Sequence, residues 1–214
     1  MSDGGVLALD LDGTLLDCRP RQVELTVAVL EELEAPGVDP DALWAAKREG
    51  ATTRDALLAQ GLPAAVVDAA VTAWVARVED AAWLARDPVL PEAPPALAAV
   101  RAAGLSPVVL TARRDASAVR DQIARLALDV DDVGVVDPSD PAAGKAGYLR
   151  ALAAAGYVGD TESDARSAAV ADVPFVAVGG GQRSERFLRA AGVTDVRANV
   201  RDAVAALLAR IAAG

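Results

Sequence analysis

Apolar and polar positions alternate in two different ways along this chain. After residue 91, short apolar runs typical of buried strands are separated by segments whose apolar residues recur every three or four positions, as in an amphipathic helix. The runs that predict strands are PVVLT, VGVVD, YVGD and FVAVGG. The segments that predict helices are 96–103, 116–126, 145–154, 163–171, 184–191 and 203–211. Such alternation predicts βαβ units, and therefore an α/β fold with a doubly wound parallel sheet and a Rossmann-like core.

A first strand pattern at residues 5–12 stands apart, because a long helical region separates it from the next strand. Residues 19–86 show helical spacing punctuated by Gly and Pro, and a cluster of prolines follows. We therefore predict an α/β core of residues 1–16 and 91–214 with an inserted all-helical cap of residues 17–90. Ligands bind beyond the carboxyl ends of strands in open α/β sheets, so we expect the cap to cover the site as a lid.

The composition narrows the chemistry of such a site. The sequence has no histidine and a single cysteine, Cys18, which excludes histidine bases and an internal disulfide and argues against zinc. A metal would need oxygen ligands, as Mg²⁺ does. The net charge of −10 argues against a nucleic-acid or anionic-membrane partner. The apolar run at residues 6–9 is too short for a signal peptide or membrane span, so we expect a cytoplasmic protein whose oligomeric state stays open.

Acidic and hydroxyl side chains occur where the predicted strands end. Asp10 and Asp12 belong to the first strand pattern, Thr111 ends the second and Asp160 ends YVGD. An isolated aspartate at a strand end is equally consistent with a turn or a helix cap. Asp10 differs because it lies inside the apolar run, where an uncompensated carboxylate would cost several kcal/mol. A bound divalent cation would supply the compensation.

Four segments, in order, resemble the motifs of the haloacid dehalogenase-like hydrolase superfamily. They are LALDLDGTLLD with Asp10 and Asp12, VVLTA with Thr111, GKAGYLRAL with Lys145, and VGDTESD with Asp160 and Asp164. The helical insertion after the first motif resembles the cap of phosphoglycolate phosphatase and β-phosphoglucomutase relatives. The resemblance implies an Mg²⁺-dependent enzyme that acts on a small phosphorylated metabolite through an aspartyl-phosphate.

The resemblance also assigns roles to these residues. Asp10 would attack phosphorus, and Asp12 would protonate the leaving oxygen and later activate water. Thr111 would hydrogen-bond the phosphoryl group, and Lys145 would neutralise charge between the two anions that meet there. The magnesium ligands would be Asp10, Asp160 and the backbone carbonyl of Asp12, with Asp164 as a further ligand or as a partner of the ligands.

The second acid, Asp12, separates the activities of this superfamily. Haloacid dehalogenases resemble the same pattern but lack that acid, since a halide leaves without a proton whereas an alcohol needs one. The sequence therefore favours a phosphatase that hydrolyses phosphate monoesters. A β-phosphoglucomutase-like phosphomutase stays open, as does a non-catalytic binding or regulatory protein on the same scaffold.

One polar segment of the predicted cap is a candidate for substrate binding. KREGATTR lies between two short helical patterns and resembles the cap loop that recognises the substrate in β-phosphoglucomutase-like proteins. Lys47, Thr53 and Arg54 would then contact the leaving group, and a solvated connection between helices is the alternative. Arg113 and Arg114 follow the second motif, and we expect them to begin the next helix rather than to touch the substrate.

Overall fold

A parallel sheet forms the centre of the computed structural model, which describes residues 5–213; residues 1–4 and 214 of the predicted core lie outside that range. The strands are β1 (Val6–Leu9), β2 (Ser106–Ala112), β3 (Asp132–Val136), β4 (Gly156–Gly159), β5 (Phe175–Val178) and β6 (Val196–Arg197). Their order is β3-β2-β1-β4-β5-β6, and every neighbouring pair is parallel. This doubly wound order confirms the predicted α/β class and places the switch point, where ligand clefts form, between β1 and β4.

Helices flank the sheet and form the whole insertion after β1. Those described are α1 (Arg19–Glu32), α2 (Pro40–Arg48), α3 (Thr53–Ala59), α4 (Ala64–Arg77), α5 (Ala81–Leu84), α6 (Ala93–Ala102), α7 (Ala116–Arg125), α8 (Pro141–Ala151), α9 (Glu162–Ala171), α10 (Glu185–Ala190) and α11 (Val200–Ala213). Of the helices described between residues 5 and 213, none is long and apolar enough to cross a membrane.

Buried apolar side chains cover both faces of the sheet. Leu7 and Leu9 pack on one face with residues of α6 and α11. Ala8, Leu110 and Tyr157 face the other side, where they pack against residues of α8 and α9. Successive side chains of a strand point to opposite faces, which explains why β1 reads as a continuous apolar run. Because helices cover both faces of the sheet, its reactive polar side chains are expected at the ends of the strands.

The inserted helices α1–α5, which we call the cap, have a hydrophobic centre of their own. Leu25, Leu43, Leu57 and Val67 come from four different cap helices and are buried together. The cap tryptophans pack against the same cluster: Trp44, Trp74 and Trp83. The cap therefore buries apolar surface independently of the sheet.

The chain leaves and re-enters the core through adjacent segments. Leu16 pairs antiparallel with Val89, and Leu90 N donates to the Leu15 carbonyl (2.9 Å). This joint lies where the prolines of the sequence predicted a boundary. We therefore propose that the cap domain spans residues 17–90.

Two elements differ from those expected. β6 has two residues, too few to form a recognisable apolar run. The helical spacing near the end of the cap is divided into α4 and α5 at Asp80, whose backbone is extended (φ −64°, ψ 142°). The carboxylate of the neighbouring Glu79 accepts hydrogen bonds from Arg114 N (3.0 Å) and Asp115 N (2.9 Å) of the core.

Candidate active site

Polar side chains meet at the carboxyl ends of three neighbouring strands. Asp10 directly follows β1, and its N–H donates to the Val158 carbonyl on β4 (2.8 Å), so that its backbone continues the sheet pairing. Thr111 is the penultimate residue of β2, and Asp160 directly follows β4. All three of these polar residues are at most 4% exposed. The fold thus brings residues from three separate motifs to one buried place.

Lys145 joins this group from α8. It lies in the second turn rather than at the helix start, because Asp140 caps the helix. Its Nζ donates to Asp10 Oδ1 (2.5 Å), to Asp164 Oδ1 (2.6 Å) and to the Tyr157 hydroxyl (3.0 Å). Burial disfavours a charged amine, but the two carboxylates outweigh it and raise the pKa of Lys145 above its ordinary value. Lys145 is therefore a fixed cation at the centre of the site.

Three buried carboxylates lie around this lysine. Asp10, Asp160 and Asp164 each place an oxygen within 4.8 Å of the other two. Burial raises the pKa of Asp10 to about 7 and that of Asp160 well above its usual range, and the neighbouring carboxylates act in the same direction. With all three ionised, three carboxylates against one ammonium would leave an excess of negative charge, which a dication would offset.

The free oxygen of Asp160 fits a hard metal ion. Asp160 Oδ2 accepts from Gln182 N (2.5 Å), whereas Oδ1 is buried and has no hydrogen-bond partner among residues 5–213. A buried polar atom without a partner is costly, and carboxylate oxygen is the ligand that Mg²⁺ prefers. The donor set therefore suits Mg²⁺, and Asp10 and Asp160 are the side chains that could hold it.

Asp164 is already fully engaged by hydrogen bonds. Its Oδ1 accepts from Lys145 (2.6 Å) and Tyr157 (2.7 Å), and its Oδ2 accepts from the hydroxyl (2.6 Å) and the N–H (3.0 Å) of Thr161. Burial favours its neutral form, but Lys145 outweighs burial and holds the pKa of Asp164 below its ordinary value. This arrangement favours Asp164 as the residue that positions Lys145 rather than as a metal ligand.

Asp12 is engaged by a second set of charged residues. Its Oδ1 accepts from Arg21 Nη2 (2.7 Å) and Arg113 Nη2 (2.6 Å), and its Oδ2 accepts from Arg113 Nε (2.8 Å). Arg21 Nε also donates to Asp87 Oδ2 (2.7 Å). Burial favours a protonated Asp12, but the two guanidiniums outweigh it and hold the pKa of Asp12 well below its usual range. We call Asp12, Arg21, Asp87 and Arg113 the ionic quartet.

The ionic quartet connects the cap to the core. Arg21 belongs to α1, Asp87 to the segment that returns from α5, and Arg113 to the residues just after β2. The expectation for Arg113 was wrong: α7 begins after its own cap, Asp115, so neither Arg113 nor Arg114 starts that helix. Arg113 instead forms a bidentate pair with a motif aspartate.

Two glycines allow the backbone to approach Asp160 closely. Gly13 has a φ of +81°, and a Cβ on it would lie 2.0 Å from Asp160 Oδ2. A Cβ on Gly181 would lie 2.2 Å from the same oxygen. Gly181 precedes Gln182, whose side chain donates to the Asp12 carbonyl (3.2 Å). A larger residue at either glycine would displace the carboxylate.

Two adjacent cavities open on these residues. The inner cavity, about 180 Å³, is lined by Asp10 and Lys145 among others. The outer cavity, about 290 Å³, lies between cap and core and is lined by Arg21 and Arg113 among others. Asp12 lines both, so the cavities meet at its position. Two larger hollows, about 480 and 450 Å³, lie elsewhere and are lined by none of the aspartates of the site.

The cap residues singled out from the sequence do not line either cavity. Lys47 is buried, and its Nζ donates to Thr53 Oγ1 (2.7 Å) and lies 5.2 Å from the centre of the Trp74 ring. Burial lowers the pKa of Lys47 to about 8. Arg54 is exposed and pairs with Asp68 (3.0 Å). Within residues 5–213 the structure thus joins Lys47 to Thr53 but brings none of the three predicted residues to the cavities.

Four residues of the site were missed in the sequence: Arg21, Asp87, Tyr157 and Gln182. Arg21 carried a detectable signal, because it shares the buried side of α1 with Leu25, where a charge needs a partner. Tyr157 lies in an apolar strand, where its hydroxyl also needs a buried partner. Asp87 and Gln182 lie in irregular segments, where periodicity does not predict which residues meet.

The sequence of the chain matches a known family over most of its length. Residues 5–172 match the family model of the haloacid dehalogenase-like hydrolases. The match includes all four motifs, and the parallel sheet with Asp10, Lys145 and Asp160 at its carboxyl edge agrees with it. The chain therefore belongs to the haloacid dehalogenase-like hydrolase family, which confirms the resemblance of its motifs. Among curated proteins, none matches the sequence significantly.

Solved structures share the fold over nearly the whole chain. A haloacid dehalogenase-like family protein from Streptococcus pneumoniae has a TM-score of 0.75 at 19% identity, covering 96% of this chain and 99% of that one. A predicted phosphoglycolate phosphatase from Haemophilus somnus has a TM-score of 0.70 at 16% identity, covering 94% and 97%. Protein tyrosine kinase A from Mycobacterium tuberculosis has a TM-score of 0.71 at 23% identity, covering 96% and 99%. At these identities the likeness establishes the fold alone.

Proposed function

We propose that this protein is a Mg²⁺-dependent phosphatase that hydrolyses a small-molecule phosphate monoester through an aspartyl-phosphate on Asp10. One observation carries the proposal: Lys145 Nζ lies 2.5 Å from Asp10 Oδ1, inside a buried cluster that also contains Asp160. A fixed ammonium at this position favours the ionised form of a buried carboxylate and offsets the charge of an approaching phosphate.

The proposed reaction has two chemical steps at one phosphorus atom. An oxygen of Asp10 attacks phosphorus, forming an O–P bond, while the bond from phosphorus to the leaving alcohol breaks and Asp12 gives that alcohol its proton. Water then attacks phosphorus and gives a proton to Asp12, and the bond to Asp10 breaks to release inorganic phosphate. Thr111, which lines the inner cavity, would donate a hydrogen bond to a phosphoryl oxygen.

The ionic quartet bears directly on the acid role of Asp12. While Arg21 and Arg113 hold this carboxylate, its pKa stays well below the usual range and it has no proton to give. The proposed chemistry therefore requires Asp12 to leave both guanidiniums once a substrate is bound. Because Arg21 belongs to the cap, opening and closing of the cap would make and break one of these contacts.

Magnesium would be held by Asp10, Asp160 and the backbone carbonyl of Asp12. Asp164 would position Lys145 beside these ligands. When bound, the ion would offset the negative charge of the cluster and of the phosphate. The buried, unpartnered Oδ1 of Asp160 is the observation that supports a cation there. Lys47, Thr53 and Arg54 are left out of the proposed site, because they lie outside the cavities.

The size and charge of the site bear on the substrate and on the cellular location. Cavities of about 180 and 290 Å³ suit a small phosphorylated metabolite better than a polymer. A net charge of −10 also disfavours nucleic acid. We further propose a cytoplasmic location, because the single cysteine is buried and free, as is common in reducing compartments.

Turnover of p-nitrophenyl phosphate tests the proposal. We expect Mg²⁺-dependent release of nitrophenol and inorganic phosphate in equal amounts, and a loss of at least about 1,000-fold in Asp10→Asn because the nucleophile is removed. Asp121→Asn, at an exposed aspartate of α7, is the matched control and should keep full activity. Mass spectrometry of quenched enzyme should find the phosphoryl group on the wild type and not on Asp10→Asn.

Two results would overturn the proposal. Activity retained in Asp10→Asn would exclude this nucleophile. With phosphorylated metabolites, consumption of substrate without a matching release of inorganic phosphate would indicate a phosphomutase instead.

A further inference from the structure

The ionic quartet is electrically balanced and nearly closed to solvent. Arg21 and Arg113 contribute two positive charges, and Asp12 and Asp87 contribute two negative ones. The side chains of both arginines are 3% exposed, that of Asp87 is 0% exposed and that of Asp12 is 14% exposed. Asp12 accepts three hydrogen bonds of 2.6 to 2.8 Å from the two guanidiniums. Two buried guanidiniums are tolerated here because each faces a carboxylate.

Departure of Asp12 would disturb this balance. If its carboxylate turned toward a leaving oxygen, the two guanidiniums would face Asp87 alone, and one buried positive charge would lack a partner. Asp87 does not compensate Arg113 well, because their closest N–O distance is 4.0 Å. A buried, unpaired charge is strongly destabilising, so Asp12 stays with the arginines until another anion replaces it.

The outer cavity provides space for such an anion beside the same arginines. Arg21 and Arg113 line it, together with Gln22 and Trp74 of the cap. Arg113 Nη1 is buried and has no hydrogen-bond partner in the described part of the chain, which leaves one donor of this guanidinium free. A planar anion with two oxygens matches the edge of a guanidinium, as the carboxylate of Asp12 already shows here.

We propose that the substrate carries a carboxylate on its alcohol portion and that this carboxylate replaces Asp12 on Arg113 and Arg21. Asp12 is then free to reach the leaving oxygen, so the acid is released only when an acidic substrate fills the outer cavity. A substrate with a neutral alcohol cannot replace Asp12 on the arginines, so the ionic quartet stays intact most of the time and turnover is slow. This inference rests on the proposed phosphatase function and adds the chemical class of the substrate to it.

Pairs of phosphate esters that differ in one carboxylate test the inference. We would compare 3-phosphoglycerate with glycerol 3-phosphate, and O-phosphoserine with phosphoethanolamine. For at least one pair, kcat/KM should be on the order of 100-fold higher for the ester with the carboxylate, because its loss leaves buried donors unpaired. The p-nitrophenyl ester is the reference, since nitrophenolate leaves with little help from an acid.

Substitution of the guanidinium should remove this preference selectively. Arg113→Lys keeps the positive charge but loses the bidentate edge, so the ratio of kcat/KM between the esters with and without the carboxylate should fall at least about tenfold. Arg101→Lys is the matched control, because Arg101 forms a similar bidentate pair with Asp129 on the surface (2.7 and 2.7 Å). It should leave the preference unchanged.

Binding provides a second measurement that does not depend on turnover. Asp12→Asn removes the internal competitor for the arginines, so calorimetry should show 3-phosphoglycerate binding about tenfold more tightly than to the wild type, and glycerol 3-phosphate binding without such a gain. Asp12→Asn also provides a test of the inference if Arg113→Lys does not fold.

The outcomes separate the inference from the function on which it rests. Equal kcat/KM within both pairs, with p-nitrophenyl phosphate still hydrolysed, would overturn the inference and leave the phosphatase proposal standing. A preference for a second phosphate over a carboxylate would also overturn it. Failure to hydrolyse any of these esters would overturn both.

Discussion

At the scale of single residues, Asp10 shows how its neighbours set the ionisation of a buried acid. Burial and the nearby carboxylate of Asp164 favour its neutral form, and Lys145 at 2.5 Å favours its charged form. The balance raises the pKa of Asp10 from 3.8 to about 7. A nucleophilic carboxylate must be ionised. A dication beside Asp10 would favour its ionised form further, in the same direction as Lys145.

This raised pKa predicts that the stability of the metal-free protein falls as the pH rises. The folded protein binds the Asp10 proton more tightly than the unfolded chain does. Its contribution to the free energy of unfolding is therefore fully present below the unfolded pKa of 3.8 and is lost as the pH rises through about 7. Asp160, whose pKa is also raised, acts with the same sign, whereas the lowered pKa values of Asp12 and Asp164 act below this range.

Thermal unfolding in EDTA between about pH 4 and pH 7 measures this effect. Asp10→Asn should weaken the dependence and melt at a higher temperature than the wild type near neutral pH, while Asp160 and Asp87, whose pKa values are also raised, keep the remainder of the dependence. Asp121→Asn, which changes an exposed carboxylate, should retain the dependence. A slope in Asp10→Asn equal to that of the wild type would contradict the assignment.

At the scale of elements, the loop between α2 and α3 docks the cap on the core. Arg48 Nη2 donates to the Gly179 carbonyl (2.6 Å), and Ser184 N donates to the Arg48 carbonyl (2.9 Å). Gly50 in this loop has a φ of +91°, and a Cβ on it would lie 2.3 Å from the Phe187 ring of α10. The loop therefore needs glycine both for its backbone conformation and for the close approach of cap and core.

A pair of glycine substitutions separates these two requirements. Gly61 has a similar φ of +86°, but a Cβ on it would meet nothing within 4 Å, so Gly61→Ala should cost only the backbone strain, about 1–2 kcal/mol. Gly50→Ala should cost about 1–3 kcal/mol more, because it also clashes with Phe187, and it should raise KM by disturbing cap closure.

Urea unfolding and steady-state kinetics of the two variants provide the measurement. Phe187→Ala in the Gly50→Ala background should recover part of the loss. Equal destabilisation by Gly50→Ala and Gly61→Ala would show that the loop does not dock on α10.

The elements that the sequence predicts well are those whose pattern is long and local. The strands near the site read as apolar runs ended by acids, which is why Asp10, Asp160 and their motifs were found. The division of α4 from α5 lies beside Glu79, which contacts Asp115 36 positions away, and no local pattern predicts such a contact. The ionic quartet was missed for the same reason, because Arg21 and its partner Asp87 are 66 positions apart in the sequence.

At the scale of the whole molecule, metal binding should stabilise the fold. A ligand that binds only the folded state at about 100 times its Kd adds about 2.7 kcal/mol, which for a chain of this size corresponds to roughly 5–10 °C in Tm. We expect an increase of this order with Mg²⁺, because the ion relieves the repulsion among the buried carboxylates. Asp160→Asn should lose most of the increase and Asp121→Asn should keep it. An unchanged increase in Asp160→Asn would place the ion elsewhere.

The adjacent departure and return of the chain at Leu16 and Val89 make the cap exchangeable in principle. A foreign helical insert of any length can be grafted there without altering the sheet, since its two ends need only be neighbours. Such a chimera would keep Asp10, Lys145 and Asp160 of the core but would receive its own residues in place of Arg21 and Asp87. Under the proposed function, transplantation of caps should therefore change which alcohols are accepted, and it offers a route to altered selectivity on an unaltered scaffold.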